Sequence, residues 1–172
     1  MSAPGPAGTA RTGRATTTVT PLPASGPGVG DTLLIERATW TVTSHATYRS
    51  EGYHADEWEC AKLGTTAYLL KETEGDGVRW FFTISVPAPA VTLPDGTALA
   101  PSITRAPEAS PPSALHFRGG VYRYETTTDG SYEEAPGRGV AKTTWEYWDA
   151  AHAHNLAIER WPAGRIEAYH GA

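Results

Sequence analysis

The side chains most able to do chemistry in this chain are acidic and aromatic, and they stand next to one another. Trp58-Glu59 and Trp145-Glu146 are two such pairs, far apart in sequence. Side chains of a strand alternate between its faces. Trp58 and Cys60 therefore share one face and Glu57 and Glu59 the other, while Trp145 and Tyr147 oppose Glu146 and Trp148. The plain expectation is tryptophan inward and glutamate in water. In a closed sheet, one of these carboxylates would instead point into a lumen beside an aromatic wall, which suits a cationic ligand through cation–π contact and charge pairing. Glu72 and Glu159 each follow an apolar strand. If they converge, they would raise one another's proton affinity and act as acid and base, or grip a divalent ion. If they do not, each would cap a strand or pair with a neighbour such as Lys71 or Arg160. Trp58, Glu59, Glu72, Trp145, Glu146 and Glu159 are the candidate ligand-binding residues.

Other chemistries lack their signatures. His152-Ala153-His154 and His170 could share a ligand face, but no second motif with metal spacing accompanies them, and Asp149 to Asn155 reads as a polar hairpin loop. Cys60 is read as a buried, inert thiol. There is no Gly-x-Ser-x-Gly elbow, and Gly119-Gly120 and Gly137-Arg138-Gly139 read as turns without the Lys-Ser/Thr or helix that phosphate binding needs. No catalytic residue, metal or cofactor is assigned, and binding is expected ahead of catalysis.

The elements that must position these residues are strands. Six Trp, eight Tyr and frequent Val, Ile and Thr favour the pleated sheet, and eighteen Gly and fourteen Pro punctuate it. The expected strands of a first block are Asp31–Ile35, Thr39–Thr43, one starting at Glu57, Thr66–Lys71 and Val78–Val86. Those of a second are Leu115–Phe117, Val121–Thr126, Thr143–Trp148, Leu156–Trp161 and Arg165–His170. The blocks coincide at an offset of 87 residues, which aligns Trp58-Glu59 with Trp145-Glu146, Leu69 with Leu156, Glu72 with Glu159, Gly77 with Gly164 and Phe82 with Tyr169. Upstream the offset is 82, aligning Ile35 with Phe117, Trp40 with Tyr122 and Val42 with Tyr124. This predicts an internal duplication in which two small units, each too small to stand alone, cover each other's apolar faces. The expected fold is all-β, a pseudo-two-fold antiparallel barrel or sandwich.

At 172 residues the chain has room for one domain of the usual size, roughly 100–150 residues, and a tail. Residues 1–28 hold hardly a large side chain and are expected to be a disordered tail. A single domain, 29–172, would consist of half-repeats at about 31–86 and 114–172, joined by the Pro-rich stretch 87–113, with Pro94-Asp95-Gly96 a tight turn inside it. A net charge of −5 with no basic cluster argues against nucleic acid. The longest apolar runs fall far short of the roughly 20 residues that span a bilayer, and the N-terminus does not read as a secretory signal. The single cysteine fits a reducing compartment, so a cytoplasmic location is expected.

Val29-Gly30-Asp31 leading into Trp40-Thr41-Val42, then Glu57-Trp58-Glu59, and later Thr144-Trp145-Glu146-Tyr147 with Leu156-Ala157-Ile158-Glu159-Arg160-Trp161, resembles the bacterial family called domain of unknown function 4178, from Val29 to the C-terminus. The resemblance supplies no activity, cofactor or catalytic residue. It implies proteins encoded beside polyamine-synthesis enzymes and small membrane proteins. The expectation is a binding or adaptor module for a small cationic ligand such as a polyamine, or for a membrane-associated partner. The alternatives are an enzyme using paired glutamates and a homo-oligomerisation module that pairs through exposed strand edges.

Overall fold

A computed structural model describes residues 22, 24–50, 53–74, 77–99 and 110–171. Of the tail expected over 1–28, residues 1–21 and 23 lie outside the described residues. Ten strands follow in order: β1 (Thr32–Ile35), β2 (Ala38–Ser50), β3 (Tyr53–Lys62), β4 (Thr65–Glu74), β5 (Gly77–Val86), β6 (Ala114–Phe117), β7 (Gly120–Glu133), β8 (Gly139–Trp148), β9 (Asn155–Arg160) and β10 (Ile166–Gly171). They form one antiparallel sheet in the order β1-β2-β3-β4-β5-β10-β9-β8-β7-β6, and β2 also pairs with β7. Eight strands, β2 to β5 and β7 to β10, thus close into a ring that is not evenly disposed about an axis. β1 and β6 hang outside it. The chain is all-β, as its composition requires.

Tight turns make this order possible. Glu36-Arg37, Leu63-Gly64 and Arg118-Gly119 link their strands with two residues each, all at positive φ, the backbone twist that suits two-residue hairpins. Within the Pro-rich stretch, the Leu93 amide donates to the Thr97 carbonyl and the Asp95 carboxylate accepts from the Thr97 amide, making the turn expected at Pro94-Asp95-Gly96. The segment is also anchored, because Thr92 bridges to His116 and both Val91 and Leu99 are buried.

The two halves correspond strand for strand. Each long second strand carries a bulge at the same point, between Val42 and Ser44 and between Tyr124 and Thr126. Val42 lies opposite Cys60 as Tyr124 lies opposite Tyr147, which puts Trp58 and Trp145 in equivalent positions. At the seams, each residue on the local dyad meets its own counterpart: Arg49 pairs with Ser131, and Ile84 with His170.

The constant offset of 87 does not survive past β8. Ala67 lies opposite Cys60 and Leu156 opposite Tyr147, so Leu156 corresponds to Ala67 and Ile158 to Leu69. The cause is the connection: the two-residue turn Leu63-Gly64 is replaced in the second half by the loop 149–154, tied by Asp149, whose carboxylate accepts from the Ala153 amide and contacts the His154 ring. Since Leu69 faces Phe82 and Ile158 faces Ala168, the counterpart of Phe82 is Ala168 and not Tyr169, which turns to the other face. Glu159 likewise corresponds to Leu70 rather than to Glu72.

The apolar faces do not cover each other as expected. Each half builds a core of its own. Leu33, Ile35, Trp40, Val42, Trp58, Cys60, Leu69 and Phe82 form one, with Leu22 packed against it. Phe117, Tyr122, Trp145, Tyr147, Leu156 and Ile158 form the other, completed by Val91 and Leu99 and by Val86 from the end of β5. β1 and β6 are what allow this, because each folds back over the tryptophan-bearing face of its own half. The opposite faces look into the ring.

Candidate functional site

Alternation decides what the ring encloses. With Trp58 and Cys60 in a core, Ala55 and Glu57 of β3 face inward; with Trp145 and Tyr147 in a core, Lys142, Thr144 and Glu146 of β8 do so. The cavity, partly open to solvent, has a volume of about 270 Å³ and is walled by Tyr48, Tyr53, Tyr68, Phe81, Trp148 and Tyr169 around four carboxylates, Glu57, Glu72, Glu146 and Glu159. Lys142 and Arg79 are the cations on its lining.

The charges gather into two groups. In the first, Lys142 Nζ lies 2.5 Å from Glu159 Oε1, and both side chains are almost fully buried. The ammonium also sits 4.7 Å from the centre of the Tyr48 ring, 4.9 Å from Tyr132 and 5.3 Å from Trp161. Glu57 joins this group and takes a hydrogen bond from the Tyr132 hydroxyl. Burial raises the proton affinity of both carboxyls. Glu159 is pushed up to about 7, chiefly by burial, with Lys142 pulling the other way and Glu57 adding to the rise. Glu57 is raised too, again by burial first, with Lys142 and Tyr132 opposing.

In the second group the Tyr53 hydroxyl donates to Glu72 at 2.7 Å, and Arg79 stands 3.4 Å from the other oxygen of that carboxylate. Glu146 beside them is raised by burial and then by repulsion from Glu72 and Glu125, while Arg79 opposes. Also on the lining, Tyr68 and Tyr169 meet edge to face at 5.0 Å, and the Tyr169 hydroxyl donates to Glu167 at 2.7 Å. Burial pushes the Tyr48 hydroxyl up to about 12, so it stays protonated at any ordinary pH.

Of the residues singled out from sequence, Glu72, Glu146 and Glu159 line this cavity. Glu59 does not: it accepts from the Thr43 hydroxyl at 2.8 Å, at the β2 bulge. Trp58 and Trp145 lie on the far side of their strands. Trp58 stacks between His45 (4.9 Å) and Trp80 (5.6 Å), and Trp145 carries the Arg160 guanidinium at 4.9 Å. Glu72 and Glu159 share the cavity but not a group, since Glu72 is held by Tyr53 and Arg79 and Glu159 by Lys142.

Sequence reasoning passed over Lys142, Glu57 and the tyrosines. Glu57 was within reach, because it alternates with Trp58. Lys142 was hidden by a strand expected to begin at Thr143; extending the Trp145/Tyr147 alternation back to Gly139 puts Lys142 on the face of Glu146. Among the described residues no cluster of three or more His, Cys, Asp or Glu side chains is arranged to hold a metal, and no helix is long and apolar enough to cross a membrane.

Fold and cavity together define a duplicated β-ring protein with an acidic, aromatic lumen. Residues 28–172 match the family described as Domain of unknown function (DUF4178), and the chain belongs to that family. Neither the curated proteins nor the solved structures provide a match.

Proposed function

We propose that this chain is a cytoplasmic binding module that takes a small organic cation, a polyamine being the type case, into the lumen of its ring. The observation that carries this is the charge imbalance of the cavity: four carboxylates face Lys142 and Arg79. Aromatic walls lower the local dielectric, so the carboxylates in excess keep their protons more tightly than in water. An incoming cation would let them ionise, and the tyrosine faces would add cation–π attraction. Binding would therefore release protons, and affinity would rise with pH. Calorimetric titration with putrescine and spermidine at pH 6 and pH 8 tests this. Tighter binding at pH 8, with protons released to the buffer, is the expected result; no heat and no change in melting temperature at millimolar ligand overturns it.

A partner-binding role, for a membrane-associated protein or a second copy, would have to use the outer edges. The ring closes on itself, leaving β1 and β6 as the terminal strands, and Val29 and Leu34 at β1 are well exposed. Light scattering over a range of concentrations reads this out. A concentration-independent monomer counts against self-pairing. The acid–base reading needed Glu72 and Glu159 side by side; that Glu72 is held by Tyr53 and Arg79 and Glu159 by Lys142 does not favour it.

A further inference from the structure

We infer that the three-ring box around Lys142 is a site for a primary alkylammonium, filled in the free protein by the chain's own lysine. Its chemistry is that of ammonium recognition. Three aromatic faces, Tyr48, Tyr132 and Trp161, stand 4.7–5.3 Å from the nitrogen, and the Glu159 carboxylate closes on it at 2.5 Å.

Strand register builds the box. Tyr48 and Tyr132 face each other across the β2–β7 seam, and Lys142 lies opposite Gly130 on the neighbouring pair. Gly130 is needed there, because a Cβ at that position would come within 2.5 Å of the Tyr48 ring. Trp161 follows directly on β9, which carries Glu159.

Nothing in the fold demands the box. The corresponding places in the first half are occupied by Ala55 for Lys142, Leu70 for Glu159 and, across the seam, Gly130 for Tyr48. Those three positions are small or apolar, although the same half brings Glu57, Glu72 and Arg79 to the lining. A buried ion pair is moreover no more stabilising, as a rule, than apolar side chains of the same volume. What the box supplies is an ammonium pocket, and it opens on the cavity, since Lys142, Tyr48 and Glu159 all line it. A lumenal ligand with a primary amine at one end can therefore take the box by displacing the Lys142 ammonium. That second step rests on the cation-binding reading above; the identity of the box as an ammonium site does not.

The test uses the full chain with Lys142→Ala, which removes the equivalent of one n-propylammonium. The variant is expected to bind n-propylammonium more tightly than the native protein by about tenfold or more, and to gain melting temperature from it but not from 1-propanol. Adding Tyr48→Ala should abolish the difference. If Lys142→Ala does not fold unaided, the comparison is made on its recovery from urea, where propylammonium should restore folded protein and propanol should not. Equal response to the amine and the alcohol, or equal affinity in variant and native chain, overturns the inference. Should the variant take propylammonium while the native protein binds no diamine, the ammonium box stands and the proposed function falls. Should the native protein bind diamines while the variant gains nothing, the reverse holds.

Discussion

Trp58 and Trp145 occupy the same point in the two halves, and each is turned away from the lumen into the core of its own half. The pair shows where stability resides in this molecule: in two separate apolar cores, with a polar ring between them. Trp58→Ala and Trp145→Ala are each expected to cost about 3–5 kcal/mol. Because the two cores are distinct, the costs should add in the double variant to within about 0.5 kcal/mol. Urea unfolding followed by far-ultraviolet dichroism measures both quantities, and a large coupling term would mean that the cores are one.

The Lys142–Glu159 pair predicts an asymmetry between its partners. Glu159→Leu removes the carboxylate in contact with a buried ammonium, leaving Glu57 as the other carboxyl of its group, and should cost up to about 3–5 kcal/mol. Lys142→Met should cost less, because Glu159 is already held near 7 and can take up a proton when its partner is lost. Combining the two should recover most of the loss, as matched apolar volume replaces matched charge. A double variant as unstable as Glu159→Leu alone would contradict this.

Stability should fall as pH rises across the weakly acidic range. Glu57, Glu146 and Glu159 all bind their protons more tightly folded than unfolded, where a glutamate titrates near 4.5. The folded chain thus holds the extra protons, and their contribution is complete below about pH 4.5 and is lost as pH climbs through the raised values, about 7 for Glu159. His170 works the other way: burial first, then His154 and Arg118, depress it, so it adds stability as pH rises towards 6.5. Glu159→Gln isolates the first effect. Its stability, measured by urea unfolding from about pH 5 to pH 7, should decline less with pH than that of the native chain; an unchanged slope would remove Glu159 from the account.

Gly130→Ala should be destabilising by about 1–3 kcal/mol, since the new methyl group would press on the Tyr48 ring and on the Arg49 carbonyl, both 2.5 Å away. Thermal melts would show the loss, and combining the change with Tyr48→Ala should relieve part of it.

Much of this architecture can be read from residue order. The Trp40/Val42 and Trp145/Tyr147 alternations mark which face of β2 and β8 is buried, and the recurrence of Trp58-Glu59 at Trp145-Glu146 marks the duplication. Alternation also puts Glu146 opposite its tryptophan and so into the lumen. What residue order hides is register. A change in loop length around Asp149 shifts β9 by two positions, and a further change before β10 shifts that strand by one. Aligning Glu72 with Glu159 then pairs residues that are not counterparts, and Tyr169 is sent to the wrong face. The Lys142 box was invisible for a related reason: its members come from β2, β7, β8 and the end of β9, and only closure of the ring brings Tyr48 to Tyr132.

The seams at Arg49–Ser131 and Ile84–His170 pair each half's edge with the matching edge of the other. Two copies of a single ancestral half could meet across these same borders as a self-complementary dimer, but every wall residue would then be present twice. Two halves joined in one polypeptide need not have identical walls, and here one face of the lumen carries Lys142 where the other carries Ala55.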